Sequence, residues 1–204
     1  MTVLQRIAYY QNRRDEVPNQ ELARELVEAR DLEGIREIAE NLGHKNSNVQ
    51  SDCLKVLYEI GYLAPDLIAD YVTQFLALLR HKNNRMVWGG MIALATIADL
   101  RPTEIWNDVD AVVDAVNYGT VITEVWGIRT LARLAAADDA YAQRLFPLLL
   151  NYLRDCLPRD VPVHAESILP AVNARRVDEY LAVLEWRKPD LTMSQLARLN
   201  KITR

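Results

Sequence analysis

The sequence has few of the residues that characterise a cross-linked, fibrous or disordered chain. It contains two cysteines, seven glycines and eight prolines among 204 residues. Cys53 and Cys156 are too far apart to suggest a disulfide framework or a CxxC motif. Low glycine and proline content, with 50% hydrophobic residues, excludes collagen-like, low-complexity and wholly disordered chains. We therefore expect a folded chain with a sizeable apolar core.

Long apolar runs and a strong excess of one charge are also missing. The longest uncharged stretch, Met86 to Ala98, falls short of the roughly 18 apolar residues that a membrane span needs. The formal net charge is −4, which argues against general affinity for a polyanion such as nucleic acid. Met1 to Arg14 lacks the apolar core of a signal peptide. These features favour a cytoplasmic protein without membrane contacts.

No catalytic or cofactor motif is visible. GxSxG, GxGxxG and P-loop sequences are absent, which leaves hydrolase, dinucleotide and NTPase functions without support. The three histidines, His44, His81 and His164, form neither an i, i+4 pair nor an HExxH motif. Cys53 lies on an apolar stripe, where a thiol usually serves as a small hydrophobic residue. We expect no catalytic residue, no metal site and no cofactor.

The most informative feature that is present is an internal repeat with an offset of 37 residues. Residues 43–49 (Gly-His-Lys-Asn-Ser-Asn-Val) recur as residues 80–86 (Arg-His-Lys-Asn-Asn-Arg-Met). At the same offset three further pairs match: Leu57 with Leu94, Ile60 with Ile97, and Pro65 with Pro102. A period of about 20–50 residues is typical of solenoids, propellers and arrays.

Each repeat unit has the apolar period of helices. Val49, Cys53, Val56, Leu57 and Ile60 fall on one stripe of a helix, and residues 86–97 repeat that stripe. Further helices are predicted before these two, over 66–80 and 103–116. Ser47 with Gln50 forms a candidate capping box for the second helix of a unit. Each unit is therefore predicted as a helix, a short polar turn and a second helix.

This arrangement resembles the HEAT/armadillo family of α-solenoids from Leu32 to about Arg175. The resemblance depends on the paired apolar helices, the Asn-rich turns and small residues such as Gly90, where a second helix approaches its neighbour. Pro147 inside a helix predicted over 143–153 also fits, since first helices of HEAT repeats often kink at proline. The resemblance implies an all-α superhelix of about four helical hairpins, each burying its apolar face against its neighbours.

The two ends are predicted to cap a single domain that spans residues 1–204. Residues 1–31 form the N-terminal cap helices, 32–175 the repeats, and 176–204 the C-terminal cap. Asn19 is the expected cap of a helix that runs to Arg30, and Thr192 with Gln195 the expected capping box of the last helix. The final thirty residues carry seven Lys or Arg against four Asp or Glu, so a basic interaction tail stays open as an alternative.

In HEAT-like solenoids the second helices line a concave surface, and the resemblance places nine residues there, facing solvent in the groove. They are Asp52, Lys55, Glu59, Trp88, Thr96, Glu124, Trp126, Arg129 and Arg133. Trp and Arg are enriched at binding hot spots, although a Trp beside glycine can also simply fill space between helices. We expect a non-catalytic interaction scaffold that binds a peptide or protein partner on this face.

Two alternatives stay open. The first is a nucleic-acid-binding protein or a DNA glycosylase similar to the HEAT-like alkylpurine type. It would use Trp88 and Trp126 with Asp52 or Glu124, and a basic lining of Lys55, Arg129 and Arg133. Those cations are few for a phosphate backbone, so a nucleic-acid partner is not expected. The second alternative, a HEAT-like bilin lyase or chaperone subunit, has only fold-level analogy behind it.

Overall fold

The computed structural model describes residues 2–202, and all regular structure in that range is helical. The helices are α1 Val17–Ala29, α2 Leu32–Glu40, α3 Ser47–Leu63, α4 Val72–Leu78, α5 Asn84–Ile97, α6 Pro102–Trp106, α7 Val109–Tyr118, α8 Val121–Ala137, α9 Asp139–Asp155, α10 Val161–Ile168, α11 Val177–Arg187 and α12 Met193–Ile202. The predicted all-α architecture is confirmed. Met1, Thr203 and Arg204, which the predicted caps include, lie outside the described range. Among the described helices, none combines the length and apolar character needed to cross a membrane.

The chain divides into two compact units, the first ending at Trp126 and the second beginning at Gly127. In the first unit, α3 packs against α1, α2 and α5, while α4 packs against α5 and α6. In the second unit, α9 packs against α10 and α11, and α10 packs against α12. Helix α8 contributes residues to both units. Each unit buries its own apolar side chains, so each has a core.

The internal repeat of the sequence corresponds to a repeated turn in the first unit. His44 Nδ1 accepts a hydrogen bond from the Asn46 backbone N–H, and His81 Nδ1 accepts one from Asn83, both at 3.0 Å. Each asparagine side chain then accepts the N–H two residues further on and caps the next helix. The predicted cap at Ser47 is wrong by one residue, because the side chain that reaches a helix N–H belongs to Asn46.

The single helix predicted over 66–80 is wrong. Two 3-10 turns, Pro65–Leu67 and Ala69–Tyr71, precede the short helix α4. Between them Ile68 is fully buried, and its side chain lies against Gly61 of α3 so closely that a Cβ there would be 2.9 Å from Ile68 Cδ1. Tight packing of Ile68 on α3 accounts for the interruption of the helix.

The helix predicted over 103–116 is also divided in two, as α6 and α7. Asp108 stands between them with φ of −125°, and its carboxylate accepts two hydrogen bonds from the Arg80 guanidinium, at 2.6 and 2.7 Å. Hydrogen bonding to Arg80 holds the pKa of Asp108 below its usual value. This bidentate ion pair joins the second repeated turn to the start of α7.

The predicted close approach at Gly90 is confirmed. A Cβ at this position would lie 2.9 Å from Leu78 Cβ and 3.1 Å from the Phe75 carbonyl oxygen, so only glycine lets α5 come this close to α4. The expectation that Thr96 faces solvent is wrong. Thr96 is half-buried against Gly61 of α3, and its hydroxyl donates to a carbonyl of its own helix at 2.7 Å.

The predicted helix cap at Asn19 is wrong, because α1 already begins at Val17. Asn19 is buried inside the helix, where its side-chain oxygen accepts the Ala8 N–H at 2.9 Å. Its amide nitrogen donates to the Asp52 carboxylate at 3.0 Å. Asn19 therefore links the N-terminal segment to α3, a long-range contact that a local capping pattern does not reveal.

The basic residues near the C-terminal end bond mainly within the second unit. Arg175 and Arg176 pair with Asp139, Lys188 with Glu185, Arg187 with Asp190, and Arg198 with Glu166. The predicted capping box is confirmed, since the Thr192 N–H donates to Gln195 Oε1 at 2.8 Å and the Gln195 N–H donates to Thr192 Oγ1 at 3.4 Å. These contacts favour a packed cap over a free tail, although the capping role stays a prediction.

Candidate functional site

The nine residues predicted to line a binding surface are divided between the two units. Asp52, Lys55 and Glu59 lie on α3, Trp88 and Thr96 on α5, Glu124 and Trp126 on the first part of α8, and Arg129 and Arg133 on its second part. The first seven belong to the first unit and the two arginines to the second. Their role in binding stays a prediction. Their contacts within each unit indicate which of them are accessible to a partner.

The two predicted tryptophans of the first unit are members of a row of aromatic rings. The ring centroids of Trp88 and Tyr58 are 6.2 Å apart, those of Tyr58 and Tyr62 are 5.9 Å apart, and those of Tyr62 and Trp126 are 5.7 Å apart. These separations are typical of interacting aromatic pairs. We call these four residues the aromatic face. Tyr62 is 46% exposed, and both tryptophans are partly exposed.

Neither tyrosine of the aromatic face is among the nine residues predicted from the sequence. Tyr58 and Tyr62 are four residues apart on α3, so they lie on one side of that helix. Their spacing, next to the predicted site residue Glu59, is a signal that could have identified them. The two interpretations of the tryptophans also turn out to be compatible, because Trp88 and Trp126 pack on neighbouring rings and keep part of their surface exposed.

Lys55 lies beside the aromatic face but is neutralised within the chain. Its Nζ is 2.7 Å from a Glu59 oxygen, 2.9 Å from a Glu16 oxygen and 4.8 Å from the centre of the Tyr58 ring. Burial disfavours the ammonium ion, but the Glu59 and Glu16 carboxylates outweigh burial, so the pKa of Lys55 lies above its usual value. Lys55 is therefore a cation held on an aromatic ring between two carboxylates.

The N-terminal segment occupies other polar groups near α3. Asp52 accepts the Tyr9 N–H at 2.8 Å, in addition to its bond from Asn19. Glu16 forms ion pairs with Lys55 and, at 3.0 Å, with Arg85 of α5. Asp52 and Lys55 therefore anchor residues of the same chain, and the groups of the first unit best placed to meet a partner are those of the aromatic face.

In the second unit, Arg129 donates from Nε to Ser167 Oγ at 3.2 Å, and Arg133 is half-buried. Lys55 and Arg129, both considered above for a phosphate backbone, thus bond to groups of this chain. The carboxylate proposed beside the tryptophans, Asp52, is likewise held by the N-terminal segment. These contacts do not favour a nucleic-acid groove.

The other side chains that could take part in chemistry are buried or hydrogen-bonded within the chain. Burial raises the pKa of the Cys53 thiol to about 12, so it stays protonated and unreactive at neutral pH. His44 and His81 accept hydrogen bonds in the repeated turns. Within residues 2–202, no three His, Cys, Asp or Glu side chains are grouped so that they could hold a metal ion.

Comparison with solved structures identifies the fold. A designed armadillo repeat protein in complex with the peptide (KR)4 matches with a TM-score of 0.69 and 14% identity over 90% of this chain and 85% of that one. Two engineered proteins from the Northeast Structural Genomics Consortium match with TM-scores of 0.64 and 0.62, at 19% and 18% identity. They cover 100% and 99% of this chain, and 97% and 99% of their own. No protein-family model and no curated protein matches the sequence. At these identities the likeness concerns the fold alone, and the chain has an armadillo/HEAT-like repeat fold.

Proposed function

We propose that this protein is a non-catalytic scaffold that binds a peptide or protein segment across the aromatic face. The observation that carries the proposal is the row of four rings, Trp88, Tyr58, Tyr62 and Trp126, contributed by three different helices. Partly exposed aromatic side chains on a rigid support are typical of binding hot spots. The similarity to a designed armadillo protein bound to a peptide adds support.

The partner that best suits this surface is an extended segment with Lys or Arg side chains. Aromatic rings attract cations over their faces, and Lys55 on the Tyr58 ring shows this interaction within the chain itself. The carboxylate of Glu124 lies on the same helix as Trp126. The overall charge of −4 also favours a cationic partner. The peptide in the designed neighbour, (KR)4, has this chemistry.

Fluorescence anisotropy with a labelled (KR)4 peptide tests the proposal. We expect saturable binding that weakens as salt is added, and weakens roughly tenfold or more in Trp126→Ala and in Trp88→Ala. Tyr118→Ala is the matched control, since Tyr118 is an aromatic residue of the same unit, 87% exposed and outside the aromatic face. This control should bind as the parent does. A peptide with glutamate in place of every lysine and arginine should bind much more weakly.

Two results would contradict the proposal. Equal affinity in the parent and in both tryptophan variants, with unchanged circular dichroism, would move the binding site away from the aromatic face. Equal affinity for the basic and acidic peptides would remove the argument for a cationic partner.

A further inference from the structure

A second surface, in the second unit and separate from the aromatic face, has the features of an interface. The helices α9 and α11 enclose an open groove of about 520 Å³. Its walls are Leu150 and Arg154 from α9, and Glu179, Ala182, Val183 and Trp186 from α11. The four α11 residues fall at i, i+3, i+4 and i+7, so they form one stripe of that helix. The groove is therefore lined by one face of each helix.

The floor of the groove is apolar, and its most prominent side chain is exposed. Leu150 and Val183 are buried in the unit, whereas Trp186 is 61% exposed. The Arg187 guanidinium lies 5.9 Å from the centre of the Trp186 ring. A large exposed aromatic side chain beside an apolar groove is typical of an interaction site.

The charges at the groove have opposite signs and lie at opposite ends. Arg154 is at the end where α9 and α11 finish together, since Arg187 Nη1 donates to the Leu153 and Arg154 carbonyls. Glu179 is seven residues before Trp186 on α11, about 10 Å along the helix. The Arg154 guanidinium donates to the Asn151 side-chain oxygen at 3.1 Å. Within the described part of the chain, neither Arg154 nor Glu179 has an ion-pair partner.

We propose that this groove is the interface between two copies of the chain. A two-fold axis that crosses the groove halfway between Arg154 and Glu179 exchanges their positions. It therefore brings Arg154 of one copy onto Glu179 of the other, and it does so twice. Such a surface is complementary to itself, which is what an isologous interface requires. The same rotation brings Trp186 of each copy, which lies at the Arg154 end of its own groove, to the Glu179 end of the other copy's groove.

The oligomeric state of the full chain tests this inference. Sedimentation velocity across a range of concentrations should show a monomer–dimer equilibrium. Trp186→Ala should weaken the dimer by roughly tenfold or more. Tyr118 is the most exposed aromatic residue of the first unit. Tyr118→Ala should therefore leave the dissociation constant of the dimer unchanged.

Charge reversal gives the sharper test because the pairing is reciprocal. Arg154→Glu and Glu179→Arg alone should each weaken the dimer, since each places like charges together twice. The double variant Arg154→Glu/Glu179→Arg restores both pairs and should recover the parent dissociation constant within about threefold. All three variants alter exposed positions and should keep the parent circular dichroism.

Three outcomes would overturn the inference. They are a monomer at all concentrations, a dimer that Trp186→Ala leaves intact, and single charge reversals that the double variant does not rescue. The anisotropy experiment with (KR)4 is independent of this test, since the aromatic face and the groove lie in different units.

Discussion

The two units of the molecule are stabilised by different kinds of contact. In the first unit the same turn occurs twice, with histidine and asparagine making equivalent hydrogen bonds at residues 44–48 and 81–85. In the second unit the prominent polar contacts are individual ones, such as Tyr180 Oη donating to the Ala165 carbonyl at 3.0 Å. A repeated local motif is visible in a sequence, whereas a unique long-range contact is not.

Arg187 is the clearest example of an individual polar anchor. It is 3% exposed, and its Nη1 donates to the Leu153 and Arg154 carbonyls at 3.0 and 2.6 Å. Those carbonyls belong to the last turn of α9, where no N–H of the helix itself is available. Arg187 Nε also pairs with Asp190 at 3.1 Å. One buried guanidinium thus completes α9 and holds α11 against it.

The largest expected effect is therefore that of Arg187→Met. Methionine keeps much of the side-chain volume but leaves two carbonyls at the end of α9 without their donor, at a cost of about 3 kcal/mol. Hydrogen exchange measured by mass spectrometry should show lost protection in α9 and α11 and unchanged protection in α3 and α5. Arg198→Met is the control, because Arg198 pairs with Glu166 at the surface and should contribute about 1 kcal/mol or less. Equal effects of the two substitutions would contradict the role of Arg187 as a buried anchor of the second unit.

The next effect tests the packing of the first unit. Gly90→Leu forces a side chain into the contact with Leu78 and the Phe75 carbonyl, and we expect a loss of about 1–3 kcal/mol in the free energy of unfolding. Helix propensity alone predicts the opposite sign, a gain of up to about 1 kcal/mol. Gly43→Leu is the control, since no atom lies within 4 Å of a Cβ at that position. A Gly90→Leu urea midpoint at or above that of the parent would show that α4 and α5 are not closely packed.

The difference between the two units also explains which parts of the fold can be predicted from the sequence. Period and turn composition identified the helices that begin near residues 47 and 84, because those signals are local and occur twice. The interrupted segment before α4 was missed, since it depends on Ile68 packing against Gly61 on another helix. Asn19 was assigned to a helix cap by its position alone, and its actual partners are Ala8 and Asp52.

The candidate site was predictable to a similar extent. The helical stripe identified Trp88 and Trp126 as positions beside the apolar face, and both tryptophans are part of a row of aromatic rings. It also identified Lys55, but the pairing of Lys55 with Glu16 depends on how the N-terminal segment returns to α3. A helical pattern shows which side of a helix a residue occupies, and it carries no information about segments that arrive from elsewhere in the chain.

A smaller effect compares the two repeated turns. Asn83→Ala removes one helix cap and should cost about 1 kcal/mol. Asn46→Ala should cost slightly more, since Asn46 caps α3 and also donates to the Tyr9 hydroxyl at 2.7 Å. Asn48 is an exposed residue in the first turn of α3. Asn48→Ala should therefore change stability by no more than about 0.5 kcal/mol. Urea unfolding of the three variants measures these differences. If Asn46→Ala and Asn83→Ala both match Asn48→Ala, the repeated turn has no capping role.

The last effect concerns the second unit and depends on pH. His164 is 1% exposed on α10, and burial lowers its pKa below the value of 6.5 that an unperturbed histidine has. The nearby charges act in opposite directions, since Asp160 favours the imidazolium ion and Arg187 disfavours it. His164 therefore stays neutral in the folded chain at a pH where the same imidazole is already protonated in the unfolded chain.

Because the unfolded state binds the additional proton, the free energy of unfolding falls as the pH decreases below about 6.5, by at most about 1.4 kcal/mol per pH unit. Carboxylates contribute in a different range. Hydrogen bonding to Arg198 lowers the pKa of Glu166 from its usual 4.5, so the stability that this pair provides is lost only at more acidic pH.

The free energy of unfolding in urea should therefore differ more between pH 5.0 and pH 7.5 for the parent than for His164→Gln. His44 and His81 are present in both proteins, so their contribution cancels in this comparison. The same pH dependence in parent and variant would mean that His164 is not buried as a neutral group, and that α10 packs less tightly in the second unit than the structure shows.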